Sequence, residues 1–123
     1  MVTYKLYAVR IFVSDWKRAL DFYANTLGMP VAFANEQLGW AELATEGSHL
    51  ALERVRPDDR ESLDYVGRFA GVSLQVADVA AAYGELRAKG VDFVAPPEKQ
   101  PWGGTLAHFR DPDGNVLTLL GTA

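Results

Sequence analysis

The sequence predicts an α+β fold in which one strand, helix and three-strand unit is written twice. Three observations carry this prediction. The segments "VRIFVSDWKRALDFYANTLGMPV" and "VSLQVADVAAAYGELRAKGVDF" each begin as an apolar strand, pass an aspartate, continue as an amphipathic stretch and stop at a glycine. They stand in a nearly constant offset: Asp15 and Asp78 are 63 residues apart, Gly28 and Gly90 are 62, and Val9, Ile11 and Val13 fall on Val72, Leu74 and Val76. Each segment is followed by three short runs with apolar residues at alternate positions, separated by polar or glycine turns.

In chain order, the first strand ends at Val13, and Asp15 stands where an N-cap belongs, its carboxylate offered to the free amides of a first helical turn. Ala19, Leu20, Phe22, Tyr23 and Leu27 approximate the i, i+3, i+4 stripe of a helix lying on a sheet, and Gly28 ends it. "MPVAFAN", "LGWAELAT" and "HLALERV" follow as strands. "RPDDRESLDYVGR" is charged and polar and reads as a solvated connection, within which Tyr65 could cover a pocket. The second half repeats the order: a strand ending at Val76, Asp78 as cap, a helix with Val79, Ala82, Tyr83 and Leu86 on one stripe, then "VDFVAP", "GTLAHFR" and, after the turn "DPDG", "NVLTLL". The expected organisation is a single domain over residues 1–123, built from repeats at about 4–55 and 69–121.

Composition narrows the function classes. A chain of 123 residues buries about two-thirds of the surface its unfolded form exposes, enough for a core without staples. A net charge of −4 and the absence of any Lys/Arg-rich run argue against a nucleic-acid partner. There is no cysteine, which excludes disulfides and thiolate metal sites. No basic-then-apolar leader and no apolar run near eighteen residues is present, so a cytoplasmic protein with no membrane partner is expected.

The doubled unit, with "SDWKRALDFYANTLGMPV" near its start and "HFRDPDGNVLTLL" at its end, resembles the vicinal oxygen chelate superfamily of glyoxalases, extradiol dioxygenases and bleomycin-resistance proteins. The resemblance implies two βαβββ modules in tandem whose curved mixed sheets enclose a cavity, and a homodimer. Strand parity then sorts the side chains. Val9, Ile11 and Val13 face the helix, which sends Ala8, Arg10 and Phe12 to the cavity side. Likewise Gly71, Ser73 and Gln75 face the cavity in the second half, and His49, Ala51 and Glu53 do so in "HLALERV". The resemblance places Thr118 on the same side.

Metal-dependent members take one ligand from each of four strands, commonly two histidines and two carboxylates. The resemblance maps those positions to Ala8, to Ala51 or Glu53, to Gly71 and to Thr118. Alanine and glycine have no donor atom, so no metal and no other cofactor is expected. His49 and Glu53 share a face but stand roughly 13 Å apart along an extended strand, and His108 reads as a surface or hydrogen-bonded residue.

Aromatic residues supply the alternative. Trp16 reads as structural or surface-facing. Trp40 is either core or a ligand wall. Trp102, in "PPEKQPWGG", either lines the pocket or seals a dimer edge, and "PWGG" resembles a loop that places a tryptophan beside the ligand in drug-binding members. Stacking on such a ring adds about 0.5–1.5 kcal/mol beyond burial. Arg10 is either paired with Glu53 or held for an anionic or carbonyl-bearing ligand. The expected function is metal-independent binding of a small molecule, an antibiotic or planar aromatic compound, by Arg10, Phe12, Trp40, Glu53, Ser73, Gln75, Trp102 and Thr118. The alternative is a lyase, isomerase or dioxygenase-type enzyme, with Glu53 as candidate general base. A third possibility is a cavity filled by Phe33, Trp40 and Phe109, the protein then acting through its surface.

Overall fold

The computed structural model describes residues 1–121. The chain divides into two compact units, Met1–Val66 and the chain from Gly67 on. The first holds β1 (Ala8–Val13), α1 (Trp16–Asp21), β2 (Val31–Asn35), β3 (Trp40–Leu43), β4 (His49–Arg54) and the one-turn α2 (Arg60–Leu63). The second holds β5 (Phe69–Gln75), α3 (Val79–Ala88), β6 (Asp92–Phe93), β7 (Glu98–Lys99), β8 (Thr105–Arg110) and β9 (Val116–Gly121).

Each unit builds one mixed sheet with the same connectivity. The order is β1-β4-β3-β2 in the first and β5-β9-β8-β6 in the second, with β7 pairing β8 beside β6. In both, the opening strand lies parallel to the closing one (β1 with β4, β5 with β9) and the other pairs are antiparallel. A parallel neighbour requires a crossover, and the helix after the opening strand supplies it. The α+β reading and the twofold βαβββ pattern therefore hold.

The helices start where the aspartates are. The Asp15 side chain accepts from the Arg18 amide at 3.2 Å, and Asp78 accepts from Ala81 at 3.0 Å. α1 continues as a π-helical turn, Phe22–Thr26, with the Leu27 amide bonded to the Phe22 carbonyl five residues back. Gly28 then turns the chain at φ +75°. Ile11, Val13, Ala41, Leu43, Leu50 and Leu52 are buried on one face of the first sheet, with Trp16, Ala19 and Tyr23 buried on the helical segment that crosses it. A fully buried aliphatic side chain contributes about 1.5–3 kcal/mol. In the second unit Ala107, Phe109, Leu117 and Leu119 play the same part with Val79. Gly121 allows close approach there, since a Cβ would stand 2.8 Å from Val79 Cγ2 and 3.1 Å from the Val76 carbonyl.

The "DPDG" turn is a polar lock. Asp111 accepts from the amides of Asp113 and Asn115, both at 2.9 Å, and from the Asn115 side-chain nitrogen at 3.0 Å. The Asn115 side-chain oxygen in turn accepts from the Gly67 amide at 2.8 Å. Asp111 and Asn115 are buried, and this pairing offsets the cost of burying them.

Several expectations need correction. The connection after β4 is not all loop: Asp59 caps α2 through the Ser62 amide, the Tyr65 ring meets Phe12 at 5.1 Å, and Val66 bridges to Phe12. "VDFVAP" is a strand for two residues only, because Pro96 and Pro97 lack the amide hydrogen a ladder needs, and pairing resumes at the unexpected β7. Of the two readings of Trp16 the structural one holds: the ring is buried, and its indole N–H has no hydrogen-bond partner among the described residues.

Candidate functional site

Side chains directly opposite one another across a ladder share a face, so register assigns the face of each sheet turned away from its helix. In the first unit one rung runs Arg10–Ala51–Glu42–Phe33 and the next runs Phe12–Glu53–Trp40–Asn35. His49 lies one rung before Arg10, opposite Ala8. The predicted quartet Arg10, Phe12, Trp40 and Glu53 is thus brought together on one open face.

Arg10 has a partner. Its Nη1 donates to Glu53 Oε1 at 3.0 Å, and its guanidinium carbon lies 5.2 Å from the Phe12 ring centroid. The Arg10 side chain is 54% exposed, so the charge sits in solvent-screened surroundings and not in a dry interior. Phe12 itself is buried between Arg10 and Tyr65. Trp40 is half-buried, and its indole N–H is already committed to Glu42.

The most organised feature was not singled out by the sequence. Glu42, buried in the middle of β3, accepts three hydrogen bonds: from the Tyr7 hydroxyl at 2.7 Å, from Trp40 Nε1 at 2.9 Å and from His49 Nδ1 at 2.8 Å. These bonds, that from His49 foremost, then Trp40 and Tyr7, favour the ionised form over the opposing effect of burial and lower the carboxyl pKa to about 2. The same contact raises the Tyr7 phenol, whose proton is held by the carboxylate. An ionised carboxylate only accepts, so the hydrogen between Glu42 and His49 belongs to Nδ1. The available signal was "WAEL": parity puts Trp40 and the carboxylate of Glu42 on the face opposite the buried Ala41 and Leu43.

In the second unit the matching rungs are Ser73–Thr118–His108 and Gln75–Leu120–Leu106. Ser73 and Gln75 are exposed, while Thr118 is buried with its hydroxyl 2.7 Å from His108 Nδ1. Phe69, 62% exposed, meets the His108 ring edge-on at 5.8 Å. Trp102 lies on the tight turn between β7 and β8 and is 65% exposed, its six-membered ring folded against Gly104. The first-unit and second-unit members of the predicted site belong to separate sheets. A cleft of about 420 Å³ lined by Ser14, Asp15, Trp16, Lys17, Glu36 and Arg54 contains none of them.

The positions mapped to a chelate do not suit a metal ion. Ala51 stands on the rung that Thr118 occupies in the second sheet, each opposite the equivalent residues Arg10 and Ser73, which selects Ala51 over Glu53 as the fourth position. Gly71 falls inside a register irregularity at φ +70°, and Phe69 is the residue paired with Val116 there. Ala8, Ala51 and Gly71 offer no donor, and the Thr118 hydroxyl is held by His108. Among the described residues no three histidine, aspartate or glutamate side chains converge, and no helix is long and apolar enough to cross a membrane.

Similarity to known proteins agrees with this architecture. A structure from Sphaerobacter thermophilus, described as a member of the glyoxalase/bleomycin resistance protein/dioxygenase superfamily, is 34% identical, covers 98% of both chains and superposes with a TM-score of 0.80. TnmS3, an antibiotic binding protein from Streptomyces sp. CB03234, is 31% identical over 100% of this chain and 99% of its own, with a TM-score of 0.76. The bleomycin resistance protein of Klebsiella pneumoniae is 29% identical over 113 residues, 86% of this chain and 83% of the relative. Residues 5–119 match the family as a whole, and with the doubled βαβββ unit they make this chain a member of the Glyoxalase/Bleomycin resistance protein/Dioxygenase superfamily.

Proposed function

We propose that this protein binds a planar small molecule, an antibiotic or similar aromatic compound, without a metal ion, and acts as a homodimer in the cytoplasm. The observation that carries the reading is the chemistry at the chelate positions: two methyl groups, a glycine and a hydroxyl already bonded to an imidazole. A divalent ion there would meet no set of anionic or imidazole donors. Beside those positions the first sheet keeps Trp40 and Phe33 on its open face, and the second unit exposes the ring of Trp102. Aromatic rings recognise flat apolar molecules by stacking and burial, and neither needs a reacting group. The similarity to TnmS3 and to a bleomycin resistance protein supports the same class of ligand.

The test is equilibrium titration of bleomycin and a panel of polycyclic aromatic compounds into the protein, followed by quenching of its three tryptophans, with EDTA and then with Zn²⁺, Ni²⁺ or Mn²⁺. Saturable binding that is the same in EDTA and in metal is the expected result. Turnover of a hemithioacetal or catechol that appears only with added metal would overturn the reading. Sedimentation velocity on the same samples reads the dimer.

A further inference from the structure

His49 is the candidate-face residue whose chemistry remains unused. Its Nδ1–H points to Glu42, an acceptor that is buried, ionised and bonded to two further donors. That contact fixes the ring orientation and turns the Nδ1 hydrogen towards Glu42, so that in the neutral imidazole Nε2 carries a lone pair and no hydrogen. Nε2 has no hydrogen-bond partner among the described residues, and the His49 side chain is 37% exposed. The surrounding charged groups on this face are committed elsewhere: Arg10 and Glu53 to each other, the Tyr7 hydroxyl to Glu42. A carboxylate that orients one imidazole nitrogen while the other stays open is an arrangement that presents an acceptor to something not belonging to the chain.

We propose that His49 Nε2 is the polar anchor of the binding face and accepts a hydrogen bond from a hydroxyl on a planar aromatic ligand, so that the ligand class is phenolic. This rests on the reading of the protein as a binder of planar molecules and adds to it the one polar group the ligand must carry. Register places the aromatic side chains on the same face, Phe33 on the rung of Glu42 beside that of His49 and Trp40 on the rung beyond. Glu42 acts only through His49 and is a positioning residue.

A matched pair of probes separates the anchor from the stacking surface: 2-naphthol, and 2-methoxynaphthalene, which has the same ring system and no donor. Both are titrated at pH 8, above the ordinary imidazole range, into the wild-type protein and into His49→Phe, which keeps a planar ring and removes Nε2. The wild type should prefer the naphthol roughly tenfold, the factor one well-placed hydrogen bond supplies. His49→Phe should lower that preference, read as the ratio of the two dissociation constants in the same protein, below about twofold. Equal binding of the two probes by the wild type would overturn the anchor and leave the planar-ligand reading standing. Binding of neither would overturn both. A preference that survives in His49→Phe would assign the acceptor to another residue. Should that variant not fold, the two histidines of the wild type are resolved by ¹⁵N imidazole spectra. The Nε2 signal of His49 must then move with naphthol and stay with its ether; the reverse, or movement with both, refutes the proposal.

Discussion

Replacing Glu42 by glutamine keeps the shape of the side chain and one acceptor oxygen but removes the charge that three donors converge on. The magnitude follows from linkage. A carboxyl whose pKa is 4.5 in the unfolded chain and about 2 in the folded one contributes on the order of 3 kcal/mol when fully ionised. The folded value is the lower one, so this stability is complete above about pH 5 and is lost as pH falls through 4.5 towards 2. Glutamine does not titrate. The stability gap between wild type and Glu42→Gln should therefore be about 2–3 kcal/mol at neutral pH and shrink below about 1 kcal/mol at pH 2.5. Urea unfolding of both proteins, followed by tryptophan fluorescence from pH 7 to pH 2.5, measures the gap directly. The difference between the two proteins cancels every other acidic group. A gap that stays constant across that range would mean that the ionised carboxylate is not what the three donors hold.

Three further outcomes follow from particular contacts. A double-mutant cycle on Arg10→Ala and Glu53→Ala should give a coupling of about 0.2–1 kcal/mol, because the pair is largely exposed, and 1 M NaCl should erase most of it; a coupling above about 2 kcal/mol would show a desolvated pair instead. Asn115→Ala removes the acceptor for the Gly67 amide and a donor to Asp111 inside a buried turn and should cost roughly 2–4 kcal/mol in chemical denaturation; a loss below about 0.5 kcal/mol would refute the lock. Gly104→Ala places a Cβ where the Trp102 ring lies. That ring is on the surface and can move, so stability should change by less than about 0.5 kcal/mol while the near-ultraviolet circular dichroism of Trp102 is altered. An unchanged spectrum would show that the ring is not packed on Gly104.

What could be read from the sequence was governed by period and by caps. The alternation of Val9, Ile11 and Val13, the aspartates at 15 and 78 and the glycines at 28 and 90 are local signals, and they set the connectivity of both units. Parity separated Arg10 and Phe12 from the residues under α1 and put Arg10 on one face with Glu53; of the two roles it left open for Arg10, the structure shows the ion pair. What escaped was non-local. Glu42 carries no local oddity beyond a carboxylate in a short strand, and its three donors come from positions 7, 40 and 49. Only strand register brings them together. The broken strand at Pro96 and Pro97 was legible in principle, since a proline pair removes two ladder donors whatever the hydropathy says.

Register also shows how the two repeats have diverged. Arg10, Ala51 and Glu42 occupy the same rung of the first sheet that Ser73, Thr118 and His108 occupy in the second, and Phe12, Glu53 and Trp40 answer to Gln75, Leu120 and Leu106. The buried hydrophobic residues facing the helices, by contrast, are aliphatic or aromatic in both, because they build a core that tolerates only apolar volume. Two sheets with one connectivity thus differ on the central rungs of their open faces: Arg10, Ala51 and Glu42 on the first, Ser73, Thr118 and His108 on the second. An open face is free to vary in this way only where folding does not depend on it. The exposure of Arg10 and Ser73 is consistent with that freedom, but the burial of Glu42 and Thr118 is not. Glu42 keeps a charge out of water and Thr118 keeps a hydroxyl out of water, each on the central rung and each tied to a histidine. Burying a polar group without need costs stability that a methyl group would not. What the two contacts share is orientation: the buried Glu42 carboxylate holds the His49 ring, and the buried Thr118 hydroxyl holds that of His108.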